Sequence, residues 1–216
     1  MASTNKKEHK LPLHFYQSTD VNAIAKSLLG KILSTNIDGK LTSGIIVETE
    51  AYGGVTDKAS HAYNGRFTNR TKVIYEPAGV TYVYQCYGIH FLLNIVTALK
   101  DVPHAVLIRA IEPIEGIDIM MGRRGMETFK ATITKGPGAL AKAMGIDMSL
   151  NKKDILGDEI WISDNGTIVP EDQIVACPRI GVDYAGEDAL LPWRYYVKDN
   201  KFVSRVLKTK KALVSG

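Results

Sequence analysis

The stretch Ile45-Ile46-Val47-Glu48-Thr49-Glu50-Ala51-Tyr52 decides how the chain is read. Its β-branched and aromatic residues favour a strand. Side chains alternate between the two faces of a strand, so Ile46, Glu48, Glu50 and Tyr52 share one face. Two carboxylates on one side admit two readings. On an edge strand they form a solvated acidic face, the ordinary place for charge. If both are partly buried, mutual repulsion and desolvation raise the pKa of at least one, which suits a general base working near neutrality.

Around this stretch, β-branched and aromatic runs broken by Gly, Pro and Asn predict strands near 31–36, 43–52, 80–87 and 90–97. Ala105 to Ile111 reads as a fully buried strand. Asp20 is placed to cap a helix over Val21 to Leu29 that stops at Gly30. Ile114 to Met121 reads as a helix after Pro113, and Gly122 to Lys135 as a charged surface excursion. Pro137 to Met144 has Pro in its first turn and Gly145 past its end. Glu159 to Val206 is strand-like, with Asp199-Asn200 as a hairpin turn. Strands and helices mix without a βαβ rhythm. The expected architecture is α+β, a single compact domain with a curved, mostly antiparallel sheet and flanking helices. The domain is expected over 11–207, between a basic tail at 1–10 and a second tail at 208–216.

The 216 residues, 45% of them hydrophobic, suffice for one core. A net charge of +4 permits an acidic partner without demanding one. Cys86 and Cys177 lie 91 positions apart, which gives neither a disulfide framework nor a zinc spacing. The histidines at 9, 14, 61, 90 and 104 include no pair three or four apart. No catalytic metal and no cofactor are therefore expected. The absence of a signal-like or bilayer-length apolar run leads us to expect a soluble cytoplasmic protein that uses no membrane.

Two further strand positions bear on the carboxylates. Asn94 interrupts His90 to Val96, and Arg109 interrupts Ala105 to Ile111; burial at either place is costly without a partner. A buried Arg109 calls for a carboxylate. A structural Arg-Glu pair meets that demand, and so does a site in which Glu50 and Arg109 hold a water between them. Six of ten tyrosines fall between 52 and 87. With His61, Arg66, Arg70 and Lys72 they make the composition of a pocket that stacks a base beside a phosphate-binding rim. Val80 to His90 reads as a hairpin turning at Gly88, with Tyr87 near its tip, where it could be a partner contact or a wedge into a duplex. Gly136-Pro137-Gly138 reads as a plain helix start, with a backbone phosphate contact as the alternative.

Taken together, Ile46-Val47-Glu48-Thr49-Glu50-Ala51-Tyr52, Ala59-Ser60-His61, Tyr82-Val83-Tyr84 through Asn94, Leu107-Ile108-Arg109-Ala110-Ile111-Glu112-Pro113 and Gly136-Pro137-Gly138 resemble the alkyladenine (3-methylpurine) DNA glycosylase family. The resemblance runs from about Leu28 to Arg205, with its five motifs in order. It implies a monomeric, monofunctional base-excision enzyme that flips a damaged purine out of double-stranded DNA and hydrolyses its glycosidic bond without a metal or other cofactor. By the resemblance, Glu50 is the general base that activates water, Arg109 helps to hold that water, and the backbone carbonyl of Ile180 is the third water contact. Tyr52, His61 and Tyr84 are the stacking walls, and Asn94 crowds the exocyclic amino group of ordinary guanine. Tyr87 is the intercalating residue on a protruding hairpin. Such an enzyme is expected to work in the cytoplasm, associated with the nucleoid through DNA. Ile89 and His90 stand where vertebrate members have methionine and tyrosine. A binding module for alkylated or distorted DNA is the rival reading; it would have no need of the Glu50 carboxylate.

Overall fold

The computed structural model describes residues 9–204; most of the two expected tails lies outside the described residues. The order of elements is β1 (His9–Lys10), α1 (Leu13–Tyr16), α2 (Val21–Ser27), β2 (Ile32–Ile37), β3 (Lys40–Gly53), β4 (Thr81–Cys86), β5 (His90–Thr97), β6 (His104–Glu115), α3 (Ile117–Arg124), α4 (Pro137–Met144), β7 (Ile160–Asp164), β8 (Ile174–Cys177) and β9 (Arg194–Val197). Short 3-10 turns fill several of the connections.

Among the described residues, all nine strands join one antiparallel sheet in the order β1-β7-β2-β3-β6-β5-β4, with β9 added to β3 and β8 to β9. The α+β expectation matches this single domain. β3 is the organising strand. Its first half pairs with β2, its second half with β9, and β6 runs along its other side. The stretch carrying Glu48 and Glu50 is therefore central, which rules out the edge-strand reading.

Local chemistry explains the elements that matched. Asp20 caps α2 by accepting from the Asn22 and Ala23 amides at 3.0 Å, which satisfies two donors that a helix start leaves open. α4 begins at Pro137 and ends at Gly145, whose φ of 72° is costly for residues with a side chain. Its buried side, Leu140, Ala141, Ala143 and Met144, packs on β5 and β6. The main core gathers Leu28, Leu33, Ile46, Leu93, Ile95, Ile108 and Ile111 with Met120 and Phe202. Two small clusters stand apart from it: Val73, Ile74, Tyr82, Val96 and Ala105 in one, Ala59, Val182 and Ala185 in the other.

Three expectations need correction. β6 does not stop at Pro113 but runs to Glu115, because a register shift at Ser43/Gly44 sets Pro113 opposite Gly44. The next helix consequently starts at Ile117, after Gly116 turns at φ 69°. The region 122–135 is not simply a surface excursion, since Arg123 and Arg124 end α3 and Ile133 is fully buried. Asp199-Asn200 turns the chain toward buried Phe202 and Val203, not into a return strand. No helix among the described residues is long and apolar enough to cross a membrane.

Candidate active site

Glu48 and Glu50 are both fully buried. Glu48 lies opposite Ala110 and Tyr196, and Glu50 opposite Leu107 and Arg194. Register shifts on both sides of Glu48 break the strict alternation along β3, and Val47 is buried as well. Charge in such a place must be paired.

The pairing divides the two carboxylates by role. Glu48 accepts from Arg109 Nε and Arg194 Nε, both at 2.8 Å, and from the Ser204 amide at 2.6 Å and hydroxyl at 2.7 Å. Burial pushes its pKa up, but Arg109, Arg194 and Ser204 outweigh that, so the carboxyl sits below its ordinary value. The rise expected for one of the pair is not what Glu48 shows. Glu50 Oε1 accepts from the Ile180 amide at 2.8 Å and from Arg109 Nη1 at 3.1 Å, and Oε2 from the Tyr52 hydroxyl at 2.8 Å. Burial disfavours the Arg109 charge, but Glu50 and Glu48 more than compensate and raise its pKa. Arg109 thus finds the carboxylate its burial required, twice over.

Beside this cluster lies a cavity of about 400 Å³, within the range of small-ligand sites. Tyr52, His61, Tyr84, Tyr87, Asn94, Arg109 and Ile180 all line it. The sequence-predicted residues therefore converge on one place, with Glu50 just behind the wall, bonded to three of them. The two small clusters support the walls, since Tyr84 packs against one and Tyr52 against the other.

His61 stands edge-on to Tyr84, with ring centroids 4.7 Å apart, and the Tyr82 centroid lies 5.3 Å from that of Tyr84 and 6.0 Å from that of His61. His61 Nε2 meets Arg70 Nη2 at 3.2 Å, and Nδ1 meets the Tyr82 hydroxyl at 2.9 Å. A guanidinium can only donate, so Nε2 bears the lone pair and Nδ1 the proton. Burial, with Arg70 and Arg66 nearby, lowers the His61 pKa to about 4. The ring is neutral near pH 7. Asn94 is buried and donates from Nδ2 to the Tyr82 carbonyl at 3.2 Å. Ile180 touches Glu50 through its N–H, a contact distinct from the carbonyl role the resemblance implies.

β4 and β5 pair antiparallel around Tyr87, Gly88 and Ile89. Tyr87 and Gly88 have φ of 51° and 72°, and the Ile89 amide donates to the Cys86 carbonyl at 3.2 Å. A tyrosine at positive φ is an outlier. It is 90% exposed, so its ring is offered to solvent. Ile89 is also exposed, while His90 lies against Gly138, leaving no room for a β-carbon there.

Sequence reasoning missed two residues. Arg194 opens β9, ahead of Tyr195, Tyr196 and Val197, and a cation at the start of an apolar strand was a signal available in the sequence. Arg179 is buried and grips both oxygens of Asp57 at 2.6 and 2.8 Å, and its guanidinium lies 4.9 Å from the Tyr52 ring centroid. It lies against the Tyr52 ring and directly precedes Ile180 in the chain, and so adjoins two of the three Glu50 contacts. Nothing in its local sequence announced that.

Comparison with known proteins accords with this geometry. Residues 14–201 match the family model described as methylpurine-DNA glycosylase (MPG). A protein of Clostridium novyi named "Putative 3-methyladenine DNA glycosylase" is 48% identical over 203 residues, covering 91% of this chain and 98% of its own. Relatives of the same name are 47% identical in Chlamydia felis, over 88% of this chain and 97% of theirs, and 46% identical in Clostridium acetobutylicum, over 92% and 98%. The chain belongs to the methylpurine-DNA glycosylase family. It is accordingly a DNA glycosylase, a hydrolase acting on N-glycosyl bonds.

Proposed function

We propose that this enzyme removes alkylated or deaminated purines from double-stranded DNA by flipping the nucleotide into the aromatic cavity, where Glu50 activates the water that replaces the base. The observation that carries the reading is the Glu50 carboxylate, bonded to Arg109, Tyr52 and the Ile180 amide, three groups on the wall of that cavity. A carboxylate offers about four acceptor positions. Three are used here, and the one left, on Oε2, is available to a water. Admitting it requires a small shift of Tyr52 or Arg109, since Glu50 is fully covered.

In the reaction the water gives a proton to Glu50, its oxygen bonds to the sugar C1′, and the electrons of the C1′–N bond leave with the base. Arg109 and the Ile180 carbonyl hold the water. An alkylated purine such as 3-methyladenine or 7-methylguanine is already cationic and leaves readily. Hypoxanthine or ethenoadenine needs a proton from elsewhere, and His61 does not supply it at neutral pH: its one proton faces Tyr82. No amine nucleophile takes part, and the product is an abasic site. Tyr52, His61 and Tyr84 stack the base and Asn94 excludes guanine. Tyr87, exposed at a strained turn, fills the gap in the duplex as other inserted side chains do.

The test is incubation with duplexes carrying hypoxanthine, ethenoadenine or 3-methyladenine, followed by alkaline cleavage at abasic sites. Cleavage at the lesion supports the reading. Intact strands on every lesion, with binding retained, would favour a recognition module that does not cut.

A further inference from the structure

Arg70 has a position that the proposed reaction does not use. Its residue is exposed on the loop after Thr68, yet its guanidinium turns into the cavity. Cζ lies 4.7 Å from the Tyr84 ring centroid, Nη2 meets His61 Nε2 at 3.2 Å, and Nε donates to the Tyr82 hydroxyl at 3.3 Å. These hydrogen-bond partners are a phenol and an imidazole, so no carboxylate among them fixes the cation in place. The backbone around it is held separately. Thr71 is buried and bonds the Thr68 amide at 2.8 Å and the Arg66 carbonyl at 2.9 Å. The side chain can therefore swing out while the loop stays.

A guanidinium is a planar, delocalised cation with N–H donors along its edge, and it stacks on aromatic faces. An alkylated purine is also planar and cationic, with a polar edge. Arg70 thus covers the Tyr84 ring and the His61 acceptor that an entering base would use. It also sets the tautomer that makes Nε2 an acceptor.

We propose that Arg70 is an internal occupant of the base pocket, and that a purine must displace its guanidinium before stacking on Tyr84. Arg70 is then a selectivity residue: bases that stack weakly on Tyr84 do not outcompete it. The inference rests on the reading of the cavity as a purine pocket, and its failure can be told apart from the failure of that reading.

The probe is free 1,N6-ethenoadenine, a fluorescent base with neither sugar nor phosphate, so loss of a phosphate contact cannot affect the result. Its affinity is measured by fluorescence titration for the unaltered enzyme, Arg70→Met, Arg70→Lys and Tyr84→Leu. Arg70→Met is expected to bind about 3- to 10-fold tighter, the size of one partly exposed cation–π contact and its hydrogen bonds. Arg70→Lys should fall between, and Tyr84→Leu should lose binding. Equal or weaker binding by Arg70→Met, with Tyr84→Leu still defective, overturns the occupancy of Arg70 and leaves the pocket standing. No binding by any of the proteins, or unchanged binding by Tyr84→Leu, removes the pocket reading and the inference together. Arg70 is exposed, so circular dichroism should show an unchanged fold in both of its variants.

Discussion

Replacing Glu48 by Gln separates the two buried carboxylates. The side chain keeps its shape but loses the charge that faces Arg109 and Arg194, and its new amide group presents hydrogens to donors. Arg109 retains Glu50, whereas Arg194 loses its Glu48 ion pair. Removing one partner of a buried pair costs about 3–5 kcal/mol. For a chain of this size each kcal/mol lowers Tm by about 2–4 °C, so the fall at pH 7 should be about 6–20 °C. The pH dependence gives a second check. The folded-state pKa of Glu48 lies below its ordinary value of 4.5. Its stabilisation is therefore complete above the unfolded value and lost as pH falls through the folded one. The gap between the unaltered enzyme and Glu48→Gln should be widest near neutrality and begin to narrow only as pH falls below the ordinary value of 4.5, toward the lower folded-state value. Thermal melts followed by circular dichroism from pH 3 to 7 measure both. A Tm within about 2 °C of the unaltered enzyme at pH 7, or a gap that ignores pH, refutes the assignment of Glu48 as the counter-charge of this cluster.

Tyr87→Ala should weaken binding to lesion duplex far more than to the equivalent single strand, with no loss of thermal stability; equal losses on both substrates count against a wedge. Asn94→Ser should raise release of undamaged guanine while costing about 1 kcal/mol through the lost bond to the Tyr82 carbonyl. An unchanged guanine background would make Asn94 structural only. Arg179→Lys should lower kcat on lesion duplex by about tenfold or more, the cost of a small misplacement of reacting groups, and leave KM nearly unchanged. A loss confined to thermal stability would deny Arg179 its positioning of Tyr52 and Ile180.

Most of the sheet and the helix caps were legible because they rest on local chemistry. Asp20 before Val21, and Pro137 with Gly145 around α4, announce their ends within a few residues. The α3 start was misplaced because a proline was read as a stop, whereas the bulge at Gly44, across the sheet, lets β6 run on to Glu115. The 3-10 segment Asp183–Leu190 was missed because Gly186 turns within it at φ 59° and leaves no regular spacing to read. In the site, Arg109 and Asn94 were visible as polar residues inside apolar strands. The division of labour between Glu48 and Glu50 was not, since it is set by Ser204, Arg194 and the Ile180 amide, all more than 100 residues away in the chain. Arg179 lay hidden for the same reason.

The central claim is that Glu50 takes the proton from the attacking water, and Glu50→Gln tests it most directly. Glutamine can keep an oxygen toward the Ile180 amide and Arg109, and the Tyr52 hydroxyl can turn to accept from the new amide nitrogen, so the pocket keeps its shape. Single-turnover base release from a hypoxanthine or ethenoadenine duplex should fall by about 10²–10⁴-fold, with affinity for the same duplex close to that of the unaltered enzyme. Base release at an undiminished rate would contradict the account.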